Sequence, residues 1–277
     1  MNSENPYLPL SSELVDLWFE TDDRQIKSFV VELPDSKRFD YKPGQFCQLS
    51  LLGVGEAPFG IASSPDEKHL LFTVNRIGTL TSALHELEKG TEIGIRGPLG
   101  NWYPVEKMKG HSVVIVGGGY AFTTLRSLFL YIASPKRRGD YNDITIVYGA
   151  REPGLLLYRD EFDRWSKRED VSVELTIDKA YEGWTRHIGF VPAVLEKVAP
   201  SSKGAYAVVC GPPIMIKFTL PVLEKLGFPP ERIYTSLEMR MKCGIGKCGR
   251  CNIGEKYICY DGPVFSFEEL KGLNADF

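Results

Sequence analysis

Four of the six cysteines lie close together towards the end of the chain. They are Cys243, Cys248, Cys251 and Cys259, and they follow the spacing C-x4-C-x2-C-x7-C. Thiolate sulfur is a ligand for zinc and for the irons of iron–sulfur clusters. Three glycines separate the first three cysteines, and glycine lets a backbone approach a buried group closely. The segment therefore predicts a metal-binding loop.

The spacing favours one of the three kinds of site that use clustered cysteines. A long first gap, a short second gap and a more distant fourth cysteine is the spacing of plant-type [2Fe–2S] ferredoxins. Structural zinc sites usually present two C-x2-C pairs, whereas only Cys248 and Cys251 form one here. Disulfides need an oxidising compartment, which nothing else in the sequence indicates. An iron–sulfur cluster is the favoured interpretation, and zinc and disulfides are the alternatives.

Length and charge narrow the class of protein. The 277 residues suffice for two ordinary domains and a smaller appendage. The net charge is −3, which argues against a protein that binds nucleic acid by neutralising phosphates. The first nine residues have neither the basic nor the apolar stretch of a secretory signal, and no apolar run could span a bilayer. We expect a cytoplasmic protein with no nucleic acid partner and no membrane span.

The first part of the chain has the pattern of short strands separated by turns. Alternating or apolar runs recur at regular spacing, which is typical of a small β-barrel or sandwich. One helix is expected where Leu84 and Leu87 recur at helical spacing behind a threonine cap. The predicted strands are 26–33, 45–52, 70–75 and 92–96, and the predicted helix is 81–88.

After residue 111 the pattern changes to apolar strands that alternate with helices. This alternation is typical of a parallel α/β sheet with right-handed crossovers. The predicted strands are 112–116, 144–148, 171–177 and 206–210, and the predicted helices are 124–132, 158–168, 191–198 and 214–226. We therefore expect a β-barrel at 1–108, an α/β domain at 109–232 and a cysteine-bearing lobe at 233–277.

Two turns at the ends of predicted α/β strands could bind a nucleotide. Glycines after the first strand let the backbone approach a pyrophosphate at the following helix, and ligands of such sheets bind beyond the last strand residues. Each turn also has an ordinary explanation: a plain strand-to-helix turn, or a buried cysteine that acts as a small apolar residue. The turns are Gly117, Gly118 and Gly119, and Cys210, Gly211 and Pro212.

Three further segments are weaker candidates for binding residues. A flat conjugated ligand could lie against the extended run Pro58, Phe59, Gly60, Ile61, Ala62 and Ser63. The hydroxyl-rich turn that includes Gly78, Thr81 and Ser82 could hold a phosphate, and Arg151 could meet a ribose phosphate. Ordinary turn and cap roles could explain the first two segments, and a solvated surface role is the favoured interpretation for Arg151. No Ser/His/Asp set or carboxylate pair stands out, so no catalytic side chain is expected.

Taken in order, these motifs resemble the ferredoxin–NADP reductase superfamily. They look most like the branch with a C-terminal [2Fe–2S] lobe, and within it the gamma subunits of cytoplasmic Ni–Fe hydrogenases and sulfhydrogenases. The resemblance covers nearly the whole chain. It is carried by the segments 5–9, 43–46, 53–58, 96–101, 148–151, 210–213, 237–243 and 261–265.

The resemblance implies three cofactors and their binding residues. FAD would lie in the barrel, a nicotinamide nucleotide on the α/β domain and a [2Fe–2S] cluster in the lobe. The flavin would be lined by residues 58–63 and held by Arg76, Gly78, Thr81 and Ser82. The nicotinamide would lie between residues 117–119 and residues 210–212, near Arg151, and the four clustered cysteines would ligate the cluster.

Two segments depart from the superfamily pattern. The flavin strand usually reads Arg-Pro-Tyr-Ser, whereas here it reads Ala57-Pro58-Phe59-Gly60 and lacks both the arginine and the serine hydroxyl. The nucleotide turn usually continues Gly-x-Ala-Pro, whereas here Ala121 takes the place of the glycine and is preceded by the bulky Tyr120. The second departure is the basis of the alternative in which the chain binds no nucleotide.

The resemblance implies a diaphorase-type subunit that passes electrons between NAD(P)H, FAD and the cluster to or from a partner such as a hydrogenase. A flavin serves such a chain because it exchanges electron pairs with nicotinamide and single electrons with iron–sulfur clusters. The alternative is an electron-wiring subunit that docks a partner and no longer binds nucleotide. Phe265, Phe267 and Leu270 could form a docking patch beside the cluster, or could simply pack the lobe against the barrel.

Overall fold

Six antiparallel strands and one short helix form the first domain. The computed structural model describes residues 5–34 and 39–273. The strands are β1 (Leu10–Phe19), β2 (Ile26–Glu32), β3 (Phe46–Leu51), β4 (Gly55–Gly60), β5 (Leu70–Asn75) and β6 (Glu92–Leu99), and the helix is α1 (Thr79–His85). They pair in the order β4-β3-β6-β1-β2-β5 around a core that includes Leu14, Phe29, Leu49, Phe72 and Ile95. The predicted β-domain is confirmed.

A mostly parallel sheet forms the second domain. Its strands are β7 (Ser112–Gly118), β8 (Ile144–Ala150), β9 (Val171–Ile177), β10 (His187–Ile188), β11 (Ala205–Cys210) and β12 (Ile233–Ser236). Its helices are α2 (Phe122–Ile132), α3 (Arg159–Trp165), α4 (Val191–Val198) and α5 (Pro213–Lys225). Short 3₁₀ turns occur at Gly119–Ala121, Arg138–Asp140, Pro153–Leu155 and Pro230–Arg232. The central strands β7 and β11 are almost wholly buried, as expected of a parallel sheet covered on both faces.

The cysteine-bearing segment is joined to both domains. It contains β13 (Asn252–Ile253), β14 (Lys256–Tyr257), α6 (Ile258–Asp261), β15 (Val264–Ser266) and α7 (Phe267–Gly272). Strand β15 pairs antiparallel with β12, so the large sheet has the order β10-β9-β8-β7-β11-β12-β15. The core of the segment also includes Phe46 and Leu99 from the barrel.

The apolar residues considered as a docking patch, Phe265, Phe267 and Leu270, do not form an exposed apolar surface. The side chains of Phe265 and Leu270 are each only 1% exposed, and Phe267 is partly buried. Phe265 packs with Phe46 and Leu99 of the barrel, as the packing alternative expects, whereas Phe267 packs against the core of the second domain. In the described part of the chain, no helix is long and apolar enough to cross a membrane.

A buried arginine connects the barrel to the second domain. Arg126 of α2 donates to the carbonyl oxygen of Ala62 at 2.7 Å and forms a two-pronged ion pair with Glu161 at 2.6 and 2.7 Å. Next to it, the hydroxyl of Ser127 donates to the carbonyl oxygen of Ser63 at 2.6 Å. These bonds hold the first turns of α2 against the segment that follows β4.

Candidate functional site

A cavity of about 1010 Å³ opens where the parallel strands end. The turns after four strands supply part of its wall, through Gly118 and Gly119, Arg151, Asp178 and Pro212. The barrel supplies the opposite wall, through residues that include Gln25, Ile26 and Asn75. The cavity therefore lies between the two domains, at the edge where open α/β sheets bind ligands.

The turn after β7 consists of glycines, and at two of them the structure leaves no room for a side chain. A Cβ at position 118 would lie 2.4 Å from the sulfur of Met215, and one at position 117 would lie 2.5 Å from the Phe122 ring. Gly119 has a φ of +53°, which disfavours other residues. Gly118 and Gly119 line the cavity, whereas Gly117 lies beneath it against α2.

Tyr120 points from this turn towards the barrel. Its hydroxyl donates to the carbonyl oxygen of Thr73 in β5 at 2.6 Å, and its ring forms part of the cavity wall. Burial raises the pKa of its phenol, and the nearby carboxylate of Glu238 adds to the rise. The bulky residue therefore bridges the domains and leaves the cavity open beside it.

Cys210 lies beneath the surface rather than in the cavity wall. Its side chain is 7% exposed, and its thiol lies 3.7 Å from the hydroxyl of Thr124 and 3.7 Å from the carbonyl oxygen of Ser236. Burial raises the pKa of the thiol to about 11, so it is uncharged at neutral pH. Of its neighbours, Pro212 lines the cavity and Gly211 is partly exposed.

Two residues near Cys210, Thr124 and Glu238, are not among the sequence-predicted site residues. Desolvation raises the pKa of the Glu238 carboxyl although part of the residue is exposed, and its charge acts on both Cys210 and Tyr120. Glu238 follows β12, a strand that the sequence patterns did not predict. Had β12 been predicted, its position beyond a parallel strand would have identified it as a candidate.

The candidate flavin strand is only partly accessible. Pro58 and Gly60 are partly exposed, whereas Phe59, Ile61, Ala62 and Ser63 are buried. The hydroxyl of Ser63 accepts a hydrogen bond from the backbone N–H of Leu71 at 3.0 Å. A Cβ at Gly60 would lie 2.4 Å from the methyl carbon of Thr124, so the threonine occupies the space above this glycine.

The turn before α1 leaves open space beside it. The hydroxyl of Thr81 accepts hydrogen bonds from the N–H groups of Gly78, at 2.8 Å, and Ile77, at 3.0 Å, so it shapes the turn. No atom lies within 4 Å of the Cβ position of Gly78. Ser82 is partly buried, and the exposed Arg76 forms an ion pair with Glu86 at 2.9 Å.

The cysteine loop directs backbone N–H groups at its sulfurs. The sulfur of Cys243 accepts from the N–H groups of Lys247, at 3.2 Å, and Cys248, at 3.4 Å. The sulfur of Cys259 accepts from Gly246 at 3.2 Å. Such donors stabilise thiolates, as ligation requires.

The pKa values of two of the four thiols shift in opposite directions. Burial alone would raise the pKa of Cys243, but N–H donors and the Cys248 side chain outweigh it and lower that pKa to about 7. Burial raises the pKa of Cys259 to about 12, and the adjacent Cys251 adds to the rise. In the described residues, no three His, Cys, Asp or Glu side chains converge on one metal position.

Two buried barrel residues hold the start of the cysteine loop. Gln48 donates to the carbonyl oxygen of Lys242 at 3.0 Å, and Arg96 donates to that of Cys243 at 2.9 Å. Arg96 also forms two hydrogen bonds with Glu56, at 2.6 and 3.1 Å. The first candidate ligand is therefore fixed directly to the barrel.

Asn101 holds the other end of the lobe. Its side chain donates to the carbonyl oxygens of Asp261, at 2.9 Å, and Val264, at 2.7 Å, and accepts from the N–H of Val264 at 2.8 Å. The barrel thus positions both the loop and the turn that follows the fourth cysteine.

Two segments of the chain match known protein families. Residues 115–220 match the oxidoreductase NAD-binding domain, and residues 238–271 match the iron–sulfur cluster binding domain of dihydroorotate dehydrogenase B.

Curated relatives match over most of the chain. Sulfhydrogenase 1 subunit gamma of Pyrococcus furiosus is 34% identical, over 98% of this chain and 94% of that protein. The probable dihydroorotate dehydrogenase B (NAD(+)) electron transfer subunit of Methanocaldococcus jannaschii is also 34% identical, over 89% of this chain and 86% of that protein.

Solved structures share the fold. A chain of the NADH-dependent reduced ferredoxin-NADP oxidoreductase, described for flavin-based electron bifurcation, has a TM-score of 0.75 and 26% identity, over 95% of this chain and 91% of its own. The FAD/NAD binding domain of nitric oxide dioxygenase from Vibrio cholerae has a TM-score of 0.73 over 83% of this chain and 99% of its own; at 15% identity it shows the fold alone.

Proposed function

Because this chain belongs to the ferredoxin–NADP reductase-like family of electron-transfer subunits with an iron–sulfur domain, we propose that it passes electrons between NAD(P)H, FAD and a [2Fe–2S] cluster. The electrons come from or go to a partner redox enzyme. One arrangement carries this proposal: the barrel forms one wall of the cavity and also binds the backbone at the first cysteine of the loop. A flavin in the barrel would thus lie between the nicotinamide, which exchanges two electrons, and the cluster, which exchanges one.

The residues around the cavity fit a nicotinamide nucleotide. The open backbone at Gly118 and Gly119 suits a pyrophosphate, with Gly117 supporting it from below. Arg151 offers a cation at one end, and Cys210 places an uncharged thiol beneath the other, next to Gly211 and Pro212. We propose that these residues bind and orient NAD(P)H.

The barrel residues fit FAD. A conjugated ring can lie against an extended strand, and Pro58 and Gly60 leave part of this strand exposed beside Thr124, while residues 59 and 61–63 support the strand from within. A pyrophosphate needs open backbone, which the turn at Gly78, Thr81 and Ser82 supplies, with Arg76 exposed next to it. When bound, the flavin would exchange a hydride with nicotinamide and single electrons with the cluster. Thr124 and Glu238 would orient the contact and limit access of water.

The donor set at the lobe fits a two-iron cluster better than a single zinc. The spacing C-x4-C-x2-C-x7-C and the match of residues 238–271 to an iron–sulfur cluster binding domain support this choice. We propose Cys243, Cys248, Cys251 and Cys259 as the ligands. Replacing Cys248 with Ser should abolish or destabilise the cluster, and stoichiometric zinc without labile sulfide would contradict the assignment.

We propose three functional units with the boundaries inferred from the sequence. Residues 1–108 would hold FAD, residues 109–232 the nucleotide and residues 233–277 the cluster. Strands β12 and β15 of the last unit also extend the nucleotide sheet, which ties the cluster unit to its neighbour.

The partner proposed is another subunit of a cytoplasmic redox complex, hydrogenase-like or otherwise containing iron–sulfur clusters. Related proteins are named as a gamma subunit of a sulfhydrogenase and as an electron transfer subunit of dihydroorotate dehydrogenase B. Native mass measurement after mild anaerobic purification tests this. A monomer that reduces a small organic substrate with NAD(P)H would contradict it.

The test of the function is bleaching of the bound flavin by NADH or NADPH in the anaerobic purified protein. Extraction should yield FAD, with two irons and two labile sulfides per chain for a [2Fe–2S] centre. FMN, or fully loaded protein without flavin, would contradict the flavin assignment. Replacing Gly78 with a bulky residue should empty the flavin site and leave the cluster intact.

A second candidate is the wiring subunit that binds no nucleotide. The position of Tyr120 favours it, because the ring stands between the nucleotide turn and β5. Replacing Tyr120 with Ala separates the two proposals. If the native protein is not bleached by NAD(P)H and the variant is, the tyrosine closes the site and the wiring role is correct.

A further inference from the structure

The loop that holds the cysteines carries a strong local charge. Residues 239–254 contain four basic residues and no acidic ones, although the whole chain has a net charge of −3. All four side chains are exposed, and none has a hydrogen-bond or ion-pair partner in the part of the chain that the structure describes. We call this set the basic face; it consists of Arg240, Lys242, Lys247 and Arg250.

The basic face lies where the cysteine sulfurs come nearest to solvent. Lys247 and Arg250 flank Cys248, which is itself exposed. The backbone N–H of Lys247 lies 3.2 Å from the sulfur of Cys243, directly beneath the face. Tyr260, whose side chain is 68% exposed, stands against the same loop, since a Cβ at position 246 would lie 3.1 Å from its Cβ.

Balancing the negative charge of the thiolates does not account for these side chains. Backbone N–H groups already donate hydrogen bonds to the sulfurs of Cys243, Cys251 and Cys259. An exposed cation is screened by water and salt, so it adds little to thiolates that already accept hydrogen bonds from backbone N–H groups. Its field extends into solvent instead, where it can steer an approaching protein.

We propose that the basic face is the docking surface for an acidic electron-transfer protein, with the cluster at the centre of the contact. This rests on the proposed function and adds the chemistry of the partner. Opposite charges around the redox centre would accelerate encounter and set orientation, and exposed Tyr and Arg are the residue types that anchor interfaces. One NAD(P)H loses a hydride, which supplies two electrons and releases one proton. Two oxidised partner molecules each accept one electron.

Two cytochromes of opposite surface charge test the proposal with the intact holoprotein. Acidic cytochrome b5 and basic cytochrome c are each offered as the acceptor with NAD(P)H as donor. Ionic strength is raised from about 10 mM to about 200 mM, which shortens the screening length from roughly 30 Å to below 10 Å. Reduction of cytochrome b5 should fall by about tenfold or more, and that of cytochrome c should not fall.

Charge variants locate the effect on the molecule. The double variant R240E/R250E, and the milder R240Q/R250Q, should remove the salt dependence and the preference for cytochrome b5. Iron and sulfide content and NAD(P)H–menadione activity should stay unchanged. The matched control is K107E/K203E, which reverses two exposed lysines in the loops before β7 and β11 and should behave as the native protein.

Three results would overturn the proposal. The first is equal or salt-independent reduction of the two cytochromes. The second is a change in the cluster potential or electron paramagnetic resonance spectrum of the variants without a change in acceptor preference, which would assign the charges to the cluster. The third comes from direct titration, which needs no electron flow: failure to bind oxidised cytochrome b5 more tightly than cytochrome c. Failure of NAD(P)H to bleach the flavin would count against the proposed function alone.

Discussion

Gly60 has no room for a side chain because Thr124 of the neighbouring domain lies over it. A Cβ at position 60 would lie 2.4 Å from the Thr124 methyl carbon, about 1 Å short of an ordinary contact at 3.4 Å. The φ of Gly60 is not in the left-handed region, so backbone strain adds nothing to the cost. Overpacking of this kind costs about 1–3 kcal/mol, and we expect Gly60→Ser to lower the free energy of unfolding by that amount.

The cost should depend on Thr124. Thr124→Ala removes the methyl group that the new side chain would meet, so the double variant should be less destabilised than the two single variants predict together. We expect a favourable coupling of about 1–2 kcal/mol between the two positions. The double variant would also restore the arrangement of the superfamily, with the hydroxyl on the barrel strand.

Chemical unfolding of the FAD-loaded protein, followed by tryptophan fluorescence, measures these differences. Gly139→Ser is the matched control, because no atom lies within 4 Å of its Cβ position and its φ is not in the left-handed region. It should change the stability by no more than about 0.5 kcal/mol. A Gly60→Ser variant as stable as the control, or single effects that simply add, would refute the steric argument.

Four further substitutions test three other parts of the molecule. Arg96→Ala should lower the free energy of unfolding by about 2–3 kcal/mol and speed the loss of iron to a chelator, because it leaves the Cys243 carbonyl and the Glu56 carboxylate without this partner. The exposed control is Arg240→Ala, and equal iron loss from the two variants would contradict the anchoring role. The preference for NADPH over NADH, measured as the ratio of kcat/KM, should rise about fivefold in Asp178→Asn and fall about fivefold in Arg151→Gln, because the ribose phosphate found only in NADPH is anionic. Unchanged ratios would show that this phosphate binds elsewhere. Glu238→Gln should raise the melting temperature at neutral pH, because desolvation raises the pKa of this carboxyl above 4.5 and so penalises its ionised form in the folded state. The gain should vanish as the pH falls below 4.5, where the group is protonated in both states, and a gain that persists there would refute this cause.

Most of the regular elements could be predicted from the sequence because their patterns are local. The predicted bounds of β5, β9 and α4 coincide with those observed, since each is a compact apolar or amphipathic run between turn residues. Strand β1 was missed because only Ser12 and Leu14 within it are buried, and its place depends on pairing with β2 and β6. Strand β4 was missed as a strand because it contains proline and terminal glycines, which an edge strand tolerates.

The role of Phe265 shows where an apolar pattern stops being informative. Exposed and packed phenylalanines look the same in a sequence, and only the pairing of β15 with β12 buries this one. The basic residues of the cysteine loop can be read directly from the sequence. Only the tertiary structure shows that these side chains have no hydrogen-bond or ion-pair partner among residues 5–34 and 39–273.

The sequence by itself determined the order of the strand-rich and α/β parts and the spacing of the four cysteines proposed as ligands, because spacing, glycine turns and hydrophobic period are properties of neighbouring residues. Only the tertiary structure decided how these units meet. The bonds from Gln48 to Lys242 and from Arg96 to Cys243 join residues 194 and 147 positions apart. Thr124 lies over Gly60, and Glu238 lies near Cys210, for the same reason. Such contacts follow from the docking of complete domains, and no local pattern encodes them.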